Sequence, residues 1–215
     1  MLLHLVKKDL ILAKKYLLVM LIFAIVAPIF INSKLGLSNG SFISFLITVL
    51  FVEYILFNMI SLQEDKYKGS ALLCITPHTR NGVIKAKYVF ILVIFIACFL
   101  LYNLAAAIGA SYGLTRLSIY SVGVALLIIS VFFSILIPVQ TKFGYEKTKY
   151  IFFIMIFLTP FTLPTIIEWY QNNNIFNIDL PIPQSIKVWI PFVIAVLMAS
   201  ISMLISIRIF SKKNL

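Results

Sequence analysis

Six apolar runs divide the chain, and their lengths decide what it can fold into. They cover Tyr16–Ile31, Phe42–Ile60, Val89–Ala110, Tyr120–Val139, Tyr150–Ile167 and Val188–Phe210. A helix needs about 20 apolar residues to cross the hydrocarbon of a bilayer, with a range near 17–25. Five runs meet that requirement. The first is short, and its amphipathic lead-in is expected to extend it. None of the runs alternates with the period of two that a barrel strand requires, and only helices or closed barrels satisfy their backbone in lipid. With 62% hydrophobic residues among 215, the chain also has more apolar surface than a soluble domain of this size could bury. The expectation is an all-α membrane protein, one domain over residues 1–215, with six transmembrane helices. No cleavable leader is recognisable in "MLLHLVKKDLILAKKY", where charges are spread among the apolar residues.

The charges fall on alternate loops. Of the 18 Lys and Arg, only Lys34, Arg116 and Lys187 lie on one side of the six runs; the other 15 precede the first run, follow the second and fourth, or end the chain. Basic loops stay in the cytoplasm, so both termini are expected on the cytoplasmic side of the membrane. The same bias accounts for the net charge of +11 through topology and anionic lipid, which removes a nucleic-acid partner from consideration.

At 100° per residue, His4, Lys7, Lys8, Lys14 and Lys15 share one arc of the N-terminal segment, and Leu2, Leu5, Val6, Leu10, Leu12 and Ala13 the opposite one. Asp9 falls on the apolar arc. The pattern predicts an interfacial helix lying flat on the membrane before the first span, or else a basic stretch that only fixes topology.

Two polar features lie within the apolar runs. Glu53 sits near the middle of the second run, where a charge costs about 3 kcal/mol of insertion free energy. It is either a substrate-pathway group, together with Asn58, or a carboxyl hydrogen-bonded at a helix contact to something like Asn58 or Asn103. Pro160 and Pro164 predict a broken or re-entrant outer end to the fifth span.

Catalytic chemistry has no foothold in the sequence. There is no G-x-x-x-x-G-K-[ST], H-E-x-x-H, C-x-x-C or G-x-S-x-G. His4 and His78 have no partner in an evident arrangement, and Cys74 and Cys98 are far apart. No metal site or cofactor is expected in this chain.

Between the second and third runs lies "EDKYKGSALLCITPHTRNGVIKAKY". Gly69 offers a break, Ala71, Leu72, Leu73 and Ile75 form a short apolar stretch, and Thr76–Pro77 reads as a helix start. The segment is either a docking knob for another protein or a loop whose apolar residues dip into lipid.

The acidic residues after the second span, the small apolar stretch, P-x-x-R and the K-Y that opens the third span are here Glu64, Pro77, Arg80, Lys87 and Tyr88. This pattern resembles the permease subunits of bacterial type 2 ABC exporters. "KFGYEKTKY" is similar to the short basic loop of those permeases between spans four and five. His78 and Thr79 depart from the Ile-Ser found in many relatives.

The resemblance implies a division of labour. ATP and Mg would be bound by a separate ABC ATPase subunit, present in two copies. A coupling helix containing Ala71, Leu72, Leu73, Ile75, Pro77, His78 and Arg80 would dock into that ATPase. A second permease, identical or homologous, would complete the unit. The 19 Phe suit an amphipathic or hydrophobic substrate, and the Ile-, Lys- and Asn-rich composition leans toward antimicrobial or toxin-like peptides. Two other classes remain: a non-transporting binding, immunity or sensing subunit, and an ion-coupled secondary transporter.

Overall fold

The computed structural model describes residues 2–35, 40–67, 80–109, 113–173 and 184–212. Six long helices account for nearly all of them: α1 Leu2–Leu35, α2 Gly40–Lys66, α3 Arg80–Ile108, α4 Ile119–Phe143, α5 Tyr145–Asn173 and α6 Gln184–Ser211. Five of these, all but α5, are long and apolar enough to cross a membrane. At 29 residues α5 is also about 43 Å long, but it carries Pro160, Pro164 and three threonines in its outer half.

The expected flat lead-in helix is not a separate element. Residues 2–27 contain neither Gly nor Pro, so nothing interrupts the hydrogen-bond ladder between the lead-in and the span, and α1 continues as helix through Pro28 for 34 residues in all. The amphipathic arc exists but faces protein: Leu5 and Val6 pack with Ala86 of α3, while Lys7, Lys14 and Lys15 are exposed.

The chain turns between α4 and α5 on a single residue. Gly144 adopts φ +87°, a left-handed conformation that costs other residues dearly, and its N–H closes α4 on the carbonyl of Gln140 at 2.9 Å. The short basic loop expected here is therefore one glycine, and Lys142, Lys147 and Lys149 ride on the flanking helices.

Helix α2 is the hub, in contact with α1, α3, α4 and α5, and it is the most deeply buried. Helix α1 lies along α2 and α3, and α4 lies along α6, which also meets α3. In lipid, apolar faces gain little by leaving apolar surroundings, so close packing and polar contacts choose the partners. Phe45 meets Tyr102 edge to face at 5.1 Å and Phe57 meets Phe133 at 5.5 Å. At one end, the Tyr102 hydroxyl contacts the Ser41 and Thr115 carbonyls at 3.1 Å, and the Thr115 N–H donates to Ser41 Oγ. Gly123 lets α4 approach α6, since a Cβ there would stand 2.7 Å from the Phe192 ring.

The prolines explain several of the polar contacts. Pro138 has no N–H for the carbonyl of Ser134, and Ser202 of α6 donates to that carbonyl at 2.8 Å. Ser202 also meets the hydroxyl of Tyr88 at 2.7 Å, which brings α3 into the same joint. Pro160 likewise frees the carbonyl of Ile156, and Thr159 Oγ1 donates to it at 2.6 Å. Thr159 thus repairs the lost bond at Pro160, and α5 is helical through both prolines, where a broken segment was expected. Ser202→Ala should cost about 1 kcal/mol, the usual scale for interhelical hydrogen bonds in membranes. Thermal unfolding in detergent checks it, with Ser200→Ala, whose hydroxyl bonds among the described residues only within α6, to the Val196 carbonyl, expected to leave stability unchanged.

Candidate functional site

The helix ends nearest both termini gather at one end of the bundle. Ser61 Oγ of α2 donates to Gln140 Oε1 of α4 at 3.2 Å, and Tyr54 reaches the Lys149 carbonyl of α5 at 3.3 Å. Gln63 Nε2 donates to the carbonyl of Leu12 in α1 at 3.2 Å. The basic residues Lys8, Lys66, Lys87, Lys142, Lys149 and Arg208 all belong to helix segments at this end.

Glu64 is the centre of that end. Its carboxylate pairs with Lys8 of α1 at 3.0 Å and with Lys87 of α3 at 2.8 Å. Lys8 also stands 2.9 Å from Asp9. The side chains of Glu64 and Lys87 are 10% and 14% exposed, and Lys8 is 30% exposed. Burial of this kind is tolerable because each charge meets its opposite. Lys87 Nζ also lies 5.7 Å above the Phe57 ring. Three helices are thus tied by one acid.

Beside the cluster lies a polar cavity of about 90 Å³, lined by Ser61, Glu64, Lys87, Gln140, Tyr145 and Phe210 among others. The burial of Tyr145, with the nearby charge of Asp65, pushes its hydroxyl above the ordinary phenol range.

The expected docking residues Ala71, Leu72, Leu73, Ile75, Pro77 and His78 lie outside the described residues. Arg80 opens α3, and its side chain is likewise outside the description. Of the motif residues, Glu64 and Lys87 meet each other, and Tyr88, one position on, bonds to Ser202 instead. The Glu64–Lys87 pair pins the end of α2 to the beginning of α3.

Glu53 is 1% exposed, and neither carboxylate oxygen has a hydrogen-bond partner among the described residues. Asn103, one of its expected partners, instead donates to the carbonyl of Phe99 at 2.9 Å. Asn58 is half-buried and lines a void of about 10 Å³ with Tyr54, Phe57 and Lys149, on another face of α2. The structure does not bring Glu53 and Asn58 together.

The partners of Glu64 were not evident from sequence. One signal was present: Asp9 on the apolar arc marks a place where that face meets charge rather than oil.

A family model described as ABC-2 family transporter protein matches residues 4–211. No curated protein and no solved structure matches the chain. The match takes in every helix and both residues of the Glu64–Lys87 pair. The chain therefore belongs to the ABC-2 transporter family and is a multi-pass membrane permease subunit of an ABC transporter, a family that works with a separate ABC ATPase.

Proposed function

We propose that this permease is the transmembrane part of an ATP-driven exporter, with six spans and both termini in the cytoplasm. Two ATPase subunits dock on residues 71–80 of two permeases, identical or related. Leu72, Leu73 and Ile75 supply an apolar contact, and His78 and Arg80 supply polar ones. ATP and Mg belong to the partner. The observation that carries this reading is the Glu64 clamp. A push on a segment whose two roots are tied by a 2.8 Å ion pair, and tied again to α1, moves α1, α2 and α3 as one body. Rigid-body motion of this kind is how nucleotide-driven closure becomes alternating access.

The substrate class is amphipathic or hydrophobic, with antimicrobial or toxin-like peptides favoured by the composition. The charge bias supports the inward position of the lysines, and the resemblance to bacterial exporter permeases supports a bacterial plasma membrane.

Charged substitutions at the docking contact test the reading. Leu72→Asp with Leu73→Asp should abolish co-purification of the ATPase and lower ATP-driven efflux at least tenfold, while membrane insertion stays intact. Normal binding and efflux in that variant would sink the docking role. Absence of any ATPase in native purifications would favour a non-transporting subunit.

A further inference from the structure

Helices α3, α4 and α6 leave a groove between them of about 360 Å³. Its walls are apolar: Phe95 and Leu92 of α3, Ile129 and Phe133 of α4, Ala195 and Ala199 of α6. On α3 the lining runs from Lys85 to Phe95, ten residues or about 15 Å of helix. That is half of the roughly 30 Å hydrocarbon core, the depth of one leaflet. Lys85 stands at the mouth, exposed, on the same end of α3 as the Glu64 clamp. Among the described residues Lys85 forms no ion pair, whereas its neighbour Lys87 is fully engaged.

We infer that this groove holds one acyl chain of an anionic phospholipid from the leaflet on the basic side, with Lys85 at its headgroup phosphate. Three features select this occupant. The first is charge: a lysine without a protein counter-ion at headgroup level attracts anionic lipid. The second is depth, since the apolar lining ends where the leaflet ends. The third is the wall itself, Leu92, Phe95, Ile129 and Phe133, which a hydrocarbon chain covers without leaving a polar group unsatisfied. The floor is firm, because Phe133 and Ile129 are buried in the core. Tyr88, which meets Ser202, forms part of the wall near the basic end.

The site braces the seam between α3 and the α4–α6 pair. A chain seated there would resist movement of α3 against α6, so the lipid would act on the same body that the Glu64 clamp moves. The inference needs the basic end at a headgroup layer, but it does not need the ATPase docking proposed above, and its test reads lipid rather than efflux.

The full chain is reconstituted in nanodiscs of equal phosphatidylglycerol and phosphatidylcholine, released gently and examined by native mass spectrometry. The wild type should retain phosphatidylglycerol in preference. Lys85→Gln should reduce the retained ratio of phosphatidylglycerol to phosphatidylcholine about fivefold, the effect of one lysine at a membrane surface. Ala199→Phe, which fills the groove, should expel both lipids. Lys14→Gln, an exposed lysine away from the groove, should leave the ratio unchanged. Circular dichroism and the unfolding temperature confirm that each variant is folded. If Ala199→Phe does not fold, the Lys85→Gln ratio decides alone. Equal retention of the two lipids by the wild type, an unchanged ratio in Lys85→Gln, undiminished lipid in a folded Ala199→Phe, or a dimer that excludes lipid from the groove would each overturn the proposal.

Discussion

Glu64→Ala is expected to lower the unfolding temperature of the purified permease by roughly 6–12 °C. Removing one partner of a buried pair costs about 3–5 kcal/mol, because the charge left behind stays buried and uncompensated. Here two lysines are left. Lys8 is 30% exposed and can turn toward water, or rely on Asp9 at 2.9 Å, which puts the loss near about 3 kcal/mol. For a chain of this size each kcal/mol moves the midpoint by about 2–4 °C. Lys87→Ala should cost less, since Glu64 keeps Lys8, and Lys8→Ala least of all. Glu64→Gln should fall between wild type and Glu64→Ala, because the amide oxygen still accepts from one lysine. Scanning fluorimetry of the four variants gives the order directly. If Lys8→Ala were as damaging as Glu64→Ala, the acid would not be the centre of the cluster. The transport readout should follow a different order, because coupling depends on the α2–α3 tie rather than on the total. Lys87→Ala, which cuts the 2.8 Å link across the roots of residues 68–79, should uncouple ATP hydrolysis from efflux more than Lys8→Ala does.

Glu53→Leu should act in the opposite direction and stabilise the bundle by about 2–3 kcal/mol. A carboxyl at mid-membrane depth costs on the order of 3 kcal/mol, and this one has no hydrogen-bond partner among the described residues to offset it. Leucine fills nearly the same space without a polar atom to satisfy. Glu53→Gln should gain less, because a buried amide still lacks partners. The measurement is again the unfolding midpoint, expected to rise by about 4–12 °C for the leucine variant. A fall would mean that the carboxyl is held by a partner. The expected companion result is lower efflux in both variants. A costly group persists where function uses it, and stability gained at such a site is commonly traded against activity. In this conformation Glu53 is sealed within the bundle, so a pathway role for it requires a state in which a neighbouring helix has moved away. Stabilised variants with unchanged transport would remove Glu53 from the pathway.

Much of the fold was legible in the residues because lipid imposes a one-dimensional rule. Length and hydropathy located the helices, since no other secondary structure could satisfy the backbone across runs such as Val89–Ala110. The amphipathic arc of Leu5, Val6 and Ala13 was read correctly as an arc, but its neighbour was not. Periodicity shows that one face is apolar, and it cannot tell whether lipid or protein covers that face. Pro160 and Pro164 were misread for a similar reason. The rule that proline breaks a helix holds for the backbone bond, but Thr159 restores the lost partner from one residue away.

By itself the sequence determined where the long apolar helices lie and which ends are basic. It also resembled permeases that draw their energy from a separate ABC ATPase, and the family match over residues 4–211 agrees with that resemblance. Only the tertiary structure decided which polar groups meet. Glu64 finds Lys8 and Lys87 from 56 and 23 positions away, and Ser202 finds a carbonyl freed by a proline in another helix. The physical reason is that the bilayer makes nearly every helix face apolar, which erases the pattern that marks a buried face in water. Partner choice then falls to a few charges, hydroxyls and close approaches, and these acquire meaning only once the helices stand side by side.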